Sequence, residues 1–344
     1  MPTSSLPTRP LGRTGFDITP VGLGAWAIGG ADWTFGWGPQ DDAQSIATIR
    51  HAVERGVNWI DTAPIYGLGH SEEIVRRALA EIPQAERPYV FTKAGLEWDG
   101  RSRKAYPKFI ASPRRLKKQV EASLTRLGVE TIDLLQIHWP PRDGTEIEEY
   151  WAALVDLKQA GKLRAIGLSN HDVGALERAE RVGHVDTLQP PFSALTRGVA
   201  AAELPWCQNN ETGVIVYSPL QNGLLTGAFS ADRVAALPAD DWRKQGADFV
   251  SPALERNLAF VEALKPIARR RDSSVAAVAI AWVLAWPGVS GAIVGARRPE
   301  QIDGWLDGAT LSLTVRDFFD ISKALDDTGA GTGPTHPHRL QVAA

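Results

Sequence analysis

Short apolar runs recur along the 344-residue chain near residues 22, 60, 91, 135, 167, 188, 215 and 293, and most are separated by a segment of helical period. Eight such repeats predict an α/β protein closed into a (β/α)8 barrel. The runs are apolar on both faces, as strands of a parallel sheet covered by helices must be. No composition break or linker divides the chain, so a single domain is expected, with an open doubly wound sheet as the alternative arrangement.

Val21–Leu23 is the first strand, after a turn-rich entry at Gly12, Gly15 and Pro20. Asp42–Arg55 places Ile46, Ile49 and Val53 at helical spacing, and Gly56 stops it. Trp59–Asp61 follows as a strand. Ser71–Ala80 is the next helix, with Ser71 as its cap, acids in the first turn and Arg76 and Arg77 later, which complements the helix dipole. Tyr89–Lys93 is a strand. Ser112 and Pro113 open a helix to Leu127 whose stripe is Leu116, Val120, Leu124 and Leu127.

Strands at Ile132–His138, Ala165–Ser169, Thr187–Gln189 and Gly213–Tyr217 alternate with helices at Ile147–Ala160, Val173–Arg181 and, more weakly, Ala200–Asn210. Residues 218–250 read as irregular. Helices Pro252–Arg271 and Ser274–Trp286, a strand at Gly291–Val294, and helices at Pro299–Leu306 and Val315–Leu325 complete the fold. Residues 1–8 are expected to be a flexible N-terminus, 9–327 the barrel domain and 328–344 a disordered tail.

Composition narrows the function. Lys and Arg number 37 against 40 Asp and Glu, so the net charge is 37 − 40 = −3, without the basic excess of a nucleic-acid binder. The single cysteine, Cys207, can form neither an internal disulfide nor a Cys-based zinc site and is expected to pack as a small apolar group. No apolar run approaches the roughly 20 residues of a membrane span, and Met1–Pro10 lacks the apolar stretch of a signal peptide. A cytoplasmic location, with no membrane or nucleic-acid partner, is expected. Gly22-x-Gly24-x-x-Ala27 imitates a dinucleotide fingerprint, but the glycines and Pro39 that follow cannot build the helix such a fingerprint needs.

A barrel gathers its active site at the C-terminal ends of its strands. The polar residues there are Asp61, Lys93, His138, Ser169, Asn170, Gln189, Tyr217 and Ser218. Tyr66 lies just past Asp61 on a loop containing Gly67 and Gly69. A free phenol has a pKa of about 10, and a neighbouring ammonium would favour its ionised form. Asp61 is expected to pair with Lys93, and His138 to bind a substrate oxygen. His70 and His171 read as loop residues, solvated or locally bonded, with His70 close enough to Tyr66 to support it. His336 and His338 lie between tail prolines, where a metal role is not expected. Of the twelve tryptophans, Trp26, Trp33, Trp37, Trp98 and Trp139, with Trp206 as a further candidate, are expected to wall a substrate pocket; Trp59, Trp151, Trp282 and Trp286 read as packing residues.

V-G-L-G-A-W (21–26), G-V-N-W-I-D-T-A-P-I-Y-G (56–67), T-K-A (92–94), R-L-G-V-E-T-I-D-L-L-Q-I-H-W-P (126–140), G-K-L-R-A-I-G-L-S-N (161–170), Y-S-P-L (217–220), G-L-L-T-G (223–227) and I-V-G-A-R-R-P-E-Q-I (293–302) resemble the aldo-keto reductases, from about residue 9 to 326. The last three runs look most like the bacterial branch near inositol-operon reductases and potassium-channel β subunits. The resemblance implies a (β/α)8 TIM barrel with an N-terminal β-hairpin and extra C-terminal helices. It implies a catalytic tetrad of Asp61, Tyr66, Lys93 and His138, with Tyr66 as general acid in reduction and base in oxidation. It also implies hydride transfer between nicotinamide C4 and the carbonyl of a small aldehyde, ketone or sugar, without a metal.

The cofactor residues implied are Ala25, Trp26 and Asp61; Ser169, Asn170 and Gln189 at the carboxamide; Tyr217 stacked on the nicotinamide; Ser218, Pro219, Leu220, Gly223 and Leu225 along the pyrophosphate; and Gly295, Ala296, Arg297 and Gln301 around the adenosine. Arg297 and Arg298 suit a ribose 2′-phosphate, which favours NADPH/NADP+ with NADH as the alternative. Where many members carry an acid and an Asn, this chain has Gly304 and Trp305, so stacking on Trp305 is the expected adenine contact. A dehydrogenase of a sugar or secondary alcohol and a cofactor-binding regulatory subunit are the alternative functions. Nothing in the sequence indicates an oligomeric state.

Overall fold

The computed structural model describes residues 6–98, 100, 102–238 and 241–337. Eight strands form a closed parallel barrel: β1 (Val21–Gly24), β2 (Trp59–Asp61), β3 (Tyr89–Ala94), β4 (Ile132–Ile137), β5 (Leu163–Ser169), β6 (Thr187–Gln189), β7 (Gly213–Val216) and β8 (Val289–Gly295). Pairing of Ala292–Gly295 with Val21–Gly24 joins the last strand to the first, so the expected barrel is observed and the open sheet is not.

The N-terminal hairpin, Arg9–Pro10 against Asp17–Ile18, supplies Leu11, Phe16 and Ile18 to an apolar cluster with Trp59, Phe91, Leu134, Ala165, Ile215 and Ile293. Those six come from six different strands and fill the barrel interior, and the hairpin covers their floor. The Trp59 indole N–H donates to the Thr19 carbonyl at 2.8 Å. A Cβ on Gly22 would fall 2.2 Å from the Trp59 ring, and one on Gly24 2.8 Å from Ile293. The glycine pair that imitates a dinucleotide fingerprint is therefore a packing device.

Helices α1 (Asp42–Glu54), α2 (His70–Ala80), α3 (Pro113–Leu127), α4 (Ile147–Gln159), α5 (Val173–Glu180) and α6 (Glu203–Asn209) follow the first six strands in order. Ser71 does not cap α2: Gly69, in the left-handed region at φ 100°, precedes the helix. The buried Ser71 hydroxyl instead donates to the Ala25 carbonyl at 3.0 Å and lies 2.8 Å from the Thr62 hydroxyl, tying the ends of β1 and β2 to α2. Ser112 takes the cap position of α3 without a side-chain cap bond. Residues 218–250, expected to be irregular, contain short 3-10 turns and one brief helix, α7 (Ala231–Ala235).

The chain ends with α8 (Ala253–Arg270), α9 (Val275–Leu284), α10 (Pro299–Asp303) and α11 (Val315–Thr328). Among the described residues no helix is long and apolar enough to cross a membrane. Trp59, Trp151, Trp282 and Trp286 are buried, as expected, and so is Cys207.

The tail differs from expectation. Residues 329–337 are packed on the barrel: Thr332 pairs with Thr196, Ala330 is buried, and His336 Nε2 lies 2.7 Å from the Ser322 hydroxyl. Buried Arg197 holds this segment, its guanidinium donating to the carbonyls of Ala194, Ala330 and Gly333. A Gly- and Thr-rich segment offers little apolar area, but its backbone satisfies a buried cation. Leu6 likewise packs against the core. The rest of the expected flexible termini, residues 1–5 and 338–344 with His338, lies outside the described residues. Arg197→Ala should cost about 2 kcal/mol by deleting charged hydrogen bonds to buried carbonyls. Limited proteolysis and hydrogen exchange should show residues 329–337 released; unchanged protection there would contradict the anchoring role.

Candidate active site

Asp61 and Gln189 end β2 and β6, and Lys93 is the last residue but one of β3, on the inner face of the barrel above the apolar floor. The Lys93 ammonium donates to Asp61 Oδ1 at 2.5 Å, to the Thr62 carbonyl at 3.0 Å and to the Tyr66 hydroxyl at 3.3 Å. Three donors thus meet three acceptors. Gln189 Nε2 donates to the other carboxylate oxygen of Asp61 at 2.8 Å. Asp61 and Lys93 are almost wholly buried. Burial raises the Asp61 carboxyl above its ordinary value, opposed by Lys93, and lowers the Lys93 ammonium, opposed by Asp61.

Tyr66 stands on the turn between β2 and α2, as expected, with the His138 ring edge-on to it at 5.8 Å. The expected drift of the phenol towards ionisation is not seen. Burial, then the Asp61 charge, holds Tyr66 well above the ordinary phenol value. The Lys93 charge is matched by Asp61 and does not overcome the loss of water around the phenol. Burial and then the Lys93 ammonium push His138 well below its ordinary value, so the imidazole is neutral. The site thus presents a protonated phenol and a neutral imidazole beside one internal ion pair.

The neighbouring strand ends form a second polar group. The Ser169 hydroxyl donates to the Gln189 carbonyl at 2.8 Å. Asn170, in the left-handed region at φ 61°, donates from Nδ2 to the His138 carbonyl at 2.9 Å and to the Ser169 hydroxyl at 3.0 Å. Its Oδ1 accepts from the Tyr217 hydroxyl at 2.7 Å. Beyond Tyr217, the chain turns through left-handed residues at Ser218, Gln221, Asn222, Gly223 and Gly227, a conformation that gathers backbone N–H groups into concavities suited to anions. Pro219, Leu220 and Leu225 lie in this stretch, and Gly295, Ala296, Arg297 and Gln301 follow the end of β8.

The tryptophans divide differently from expectation. Trp26 lies roughly parallel to Tyr66 at 6.3 Å, beside Ala25 at the end of β1. It also stacks on Trp242 at 5.9 Å, while Trp37 meets Trp26 and Trp242 edge-on. Trp33, expected in the pocket wall, has its ring centroid 6.3 Å from that of Tyr66; it is 5% exposed and packs with Ala63, Ile65 and Leu96 beside the phenol, its indole N–H bonded to the Gly30 carbonyl. Trp98 packs against the same cluster, and Trp139 is exposed past the end of β4. Trp206, on α6, packs against the main core and not the site. Trp305 is 4% exposed within the core, so it offers no face to an adenine. Sequence reasoning missed Trp242, whose irregular segment carries no periodic signal.

Arg297 donates through Nε to Gln40 at 2.8 Å, through Nη1 to the Trp37 carbonyl at 3.1 Å and through Nη2 to the Pro39 carbonyl. It therefore joins the end of β8 to the loop after β1. Gln301 Oε1 accepts from the Arg297 backbone N–H at 2.7 Å. His70 turns to Asp42 at 2.9 Å and links α2 to α1. His171 is buried, contrary to the solvated reading: Nδ1 lies 2.8 Å from the nearby Ser169 carbonyl, while Nε2 lies 2.9 Å from the Tyr150 hydroxyl on α4.

Residues 20–326 match the aldo/keto reductase family. The chain is 36% identical over 331 residues to the NADH-specific methylglyoxal reductase of Escherichia coli (strain K12), covering 92% of this chain and 98% of that one. It is 35% identical over 316 residues to the aldo-keto reductase YhdN of Bacillus subtilis (strain 168), covering 92% of each. The chain belongs to the aldo/keto reductase family. The glycerol dehydrogenase of Gluconobacter oxydans superposes with a TM-score of 0.86 at 38% identity, covering 97% of this chain and 98% of that structure. As an aldo/keto reductase the protein is an oxidoreductase acting with a nicotinamide cofactor on small carbonyl compounds. The polar strand ends beside Tyr217 and the left-handed turn after it fit such a cofactor, offering amide partners at one end and an anion-binding backbone at the other.

Proposed function

We propose that the protein is an NADP(H)-dependent oxidoreductase interconverting short-chain carbonyls and alcohols, with Tyr66 as general acid in reduction and general base in oxidation. One observation carries this reading: the Tyr66 oxygen accepts from Lys93, so the phenol's own proton is directed elsewhere and is free for a substrate oxygen. Asp61 holds Lys93 in place, and Gln189 holds Asp61. Neutral His138, edge-on to Tyr66, orients the same substrate oxygen through a ring N–H. Aimed donors of this kind stabilise charge developing on oxygen without a metal.

Bound nicotinamide would supply the hydride in reduction and accept it in oxidation. Ser169, Asn170 and Gln189 would hold its carboxamide: Gln189 commits Nε2 to Asp61, leaving Oε1 to accept an amide N–H. Tyr217, fixed by Asn170, would form the face of the ring pocket. Residues 218–225 would bind the pyrophosphate, and Gly295–Arg297 with Gln301 the adenosine end.

Two features support a short-chain substrate. Trp26 lies roughly parallel to Tyr66 with ring centroids 6.3 Å apart, and Trp33 and Trp37 pack around the same two rings, which crowds the space beside the phenol. Methylglyoxal and glycerol, in the names of two relatives, are both short oxygenated chains. Arg297 and Arg298 at the end of β8 support NADPH through charge-assisted contacts to a 2′-phosphate. The engagement of Arg297 with the Trp37–Gln40 loop favours NADH as a second reading, as does the NADH-specific relative.

Tyr66→Phe should lower kcat for carbonyl reduction by about 10²–10⁴-fold, the range for loss of a general acid, while cofactor binding is kept. Because the phenol is held above its ordinary value, reduction should stay flat through neutral pH and fall only once the proton is lost at high pH. Oxidation needs the deprotonated oxygen and should rise with pH. A Tyr66-dependent loss of reduction near pH 7 would contradict this assignment. Short hydroxyaldehydes should show higher kcat/KM than aryl aldehydes, and the reverse order would exclude the short-chain reading. Arg297→Ala should raise KM for NADPH about tenfold more than KM for NADH if the guanidinium reads the 2′-phosphate; equal changes would assign it to the loop alone.

A further inference from the structure

Behind the strand end that carries Ser169 and Asn170, two buried side chains meet that the chemistry at Tyr66 does not use. His171 is 5% exposed and Tyr150, on α4, is 3% exposed. The imidazole Nδ1 lies 2.8 Å from the Ser169 carbonyl, and Nε2 lies 2.9 Å from the Tyr150 hydroxyl. A carbonyl only accepts, so Nδ1 carries the proton. Nε2 is then a lone pair and Tyr150 is its donor. The directions are thereby fixed: Tyr150 O–H to His171 Nε2, and His171 Nδ1–H to the Ser169 carbonyl. Burial holds His171 down to about 4, so the neutral ring this chain requires is the form present at neutral pH.

We propose that Tyr150 and His171 are positioning residues for the cofactor's amide cradle. This rests on the reading of Ser169 and Asn170 as that cradle. Fixing the Ser169 carbonyl outward fixes the peptide that follows, in which Asn170 adopts its left-handed conformation. Asn tolerates that conformation better than other non-glycine residues, and the bonds on either side of the peptide hold it there. It turns the Asn170 amide inward, where one side chain reaches the His138 carbonyl, the Ser169 hydroxyl and the Tyr217 hydroxyl. The Tyr150–His171 pair is the outer half of this clamp and the Asn170 bonds are the inner half. The pair touches neither the reacting atoms nor the proton path, so its loss should loosen the cofactor rather than slow the chemistry.

The test uses the full-length protein with NADPH and NADH, reading Kd from quenching of tryptophan fluorescence and separating KM for cofactor from kcat at saturation. His171→Ala should raise cofactor Kd and KM about tenfold, with the loss falling on KM more than on kcat. His171→Asn, whose amide nitrogen overlies Nδ1, should recover most of that affinity, and Tyr150→Phe should lose about threefold. Should His171→Ala fail to fold, Tyr150→Phe carries the comparison. Unchanged cofactor Kd in folded His171→Ala or Tyr150→Phe, alongside lowered thermal stability, would overturn the proposal and leave the pair a core contact. If the unsubstituted protein bound neither cofactor, the cradle reading itself would fall, and this inference with it.

Discussion

The buried Asp61–Lys93 ion pair is the constraint on which the rest of the site depends. Removing two charges from water is costly, and the attraction between them repays this only when every remaining donor and acceptor is also satisfied. Here the three ammonium hydrogens have three acceptors, and the second carboxylate oxygen accepts from Gln189. These contacts join β2, β3 and β6 across the barrel mouth. They require the ring to be closed, because residues about 130 positions apart in sequence must meet within hydrogen-bonding distance. The pair also accounts for the protonation states around it. A matched ammonium cannot ionise a buried phenol, yet its third hydrogen still selects the lone pair of Tyr66 and thereby sets the direction of the Tyr66 proton.

The loops complete what the strands begin. Ser71 ties β1 and β2 to α2, holding the Tyr66 turn between fixed ends. Arg297 connects the end of β8 to the loop after β1, and Trp242 brings the segment after β7 onto Trp26 and Trp37. The rim is thus cross-linked by one cation on backbone carbonyls and by a stack of aromatic rings, both of which hold loops that have little regular hydrogen bonding of their own.

The strand ends and the Tyr66 loop were legible in the sequence because a barrel converts position along a strand into position in space. Asp61, Lys93, Gln189 and Tyr217 could be read as neighbours without knowing any contact. The remaining features were not periodic. Ser71 has a capping sequence context, but its hydroxyl has better buried partners, so the helix begins at a left-handed glycine. Trp305 looks like an adenine contact because it follows the end of β8 in sequence, yet it packs within the main core. The tail beyond 328 has a disordered composition, and the distant Arg197, through its guanidinium and its backbone N–H, gives its carbonyls partners. His171 reads as a loop histidine until α4 places Tyr150 against it.

A polarity gradient inside the barrel links the fold to the chemistry. Residues two apart on a strand share a face, and along the inner face the floor residue gives way to a polar one: Trp59 to Asp61, Phe91 to Lys93, Leu134 to Gln136 and then His138, Ile215 to Tyr217. The lower layer is sealed by the hairpin through Leu11, Phe16 and Ile18, so water cannot reach the ion pair from below. A low dielectric on that side strengthens every charge interaction in the layer above. Burial among the rim aromatics above this floor, with the Asp61 and Lys93 charges, keeps the Tyr66 proton on its oxygen and the His138 ring neutral, the two states a proton-donating site needs before a substrate arrives.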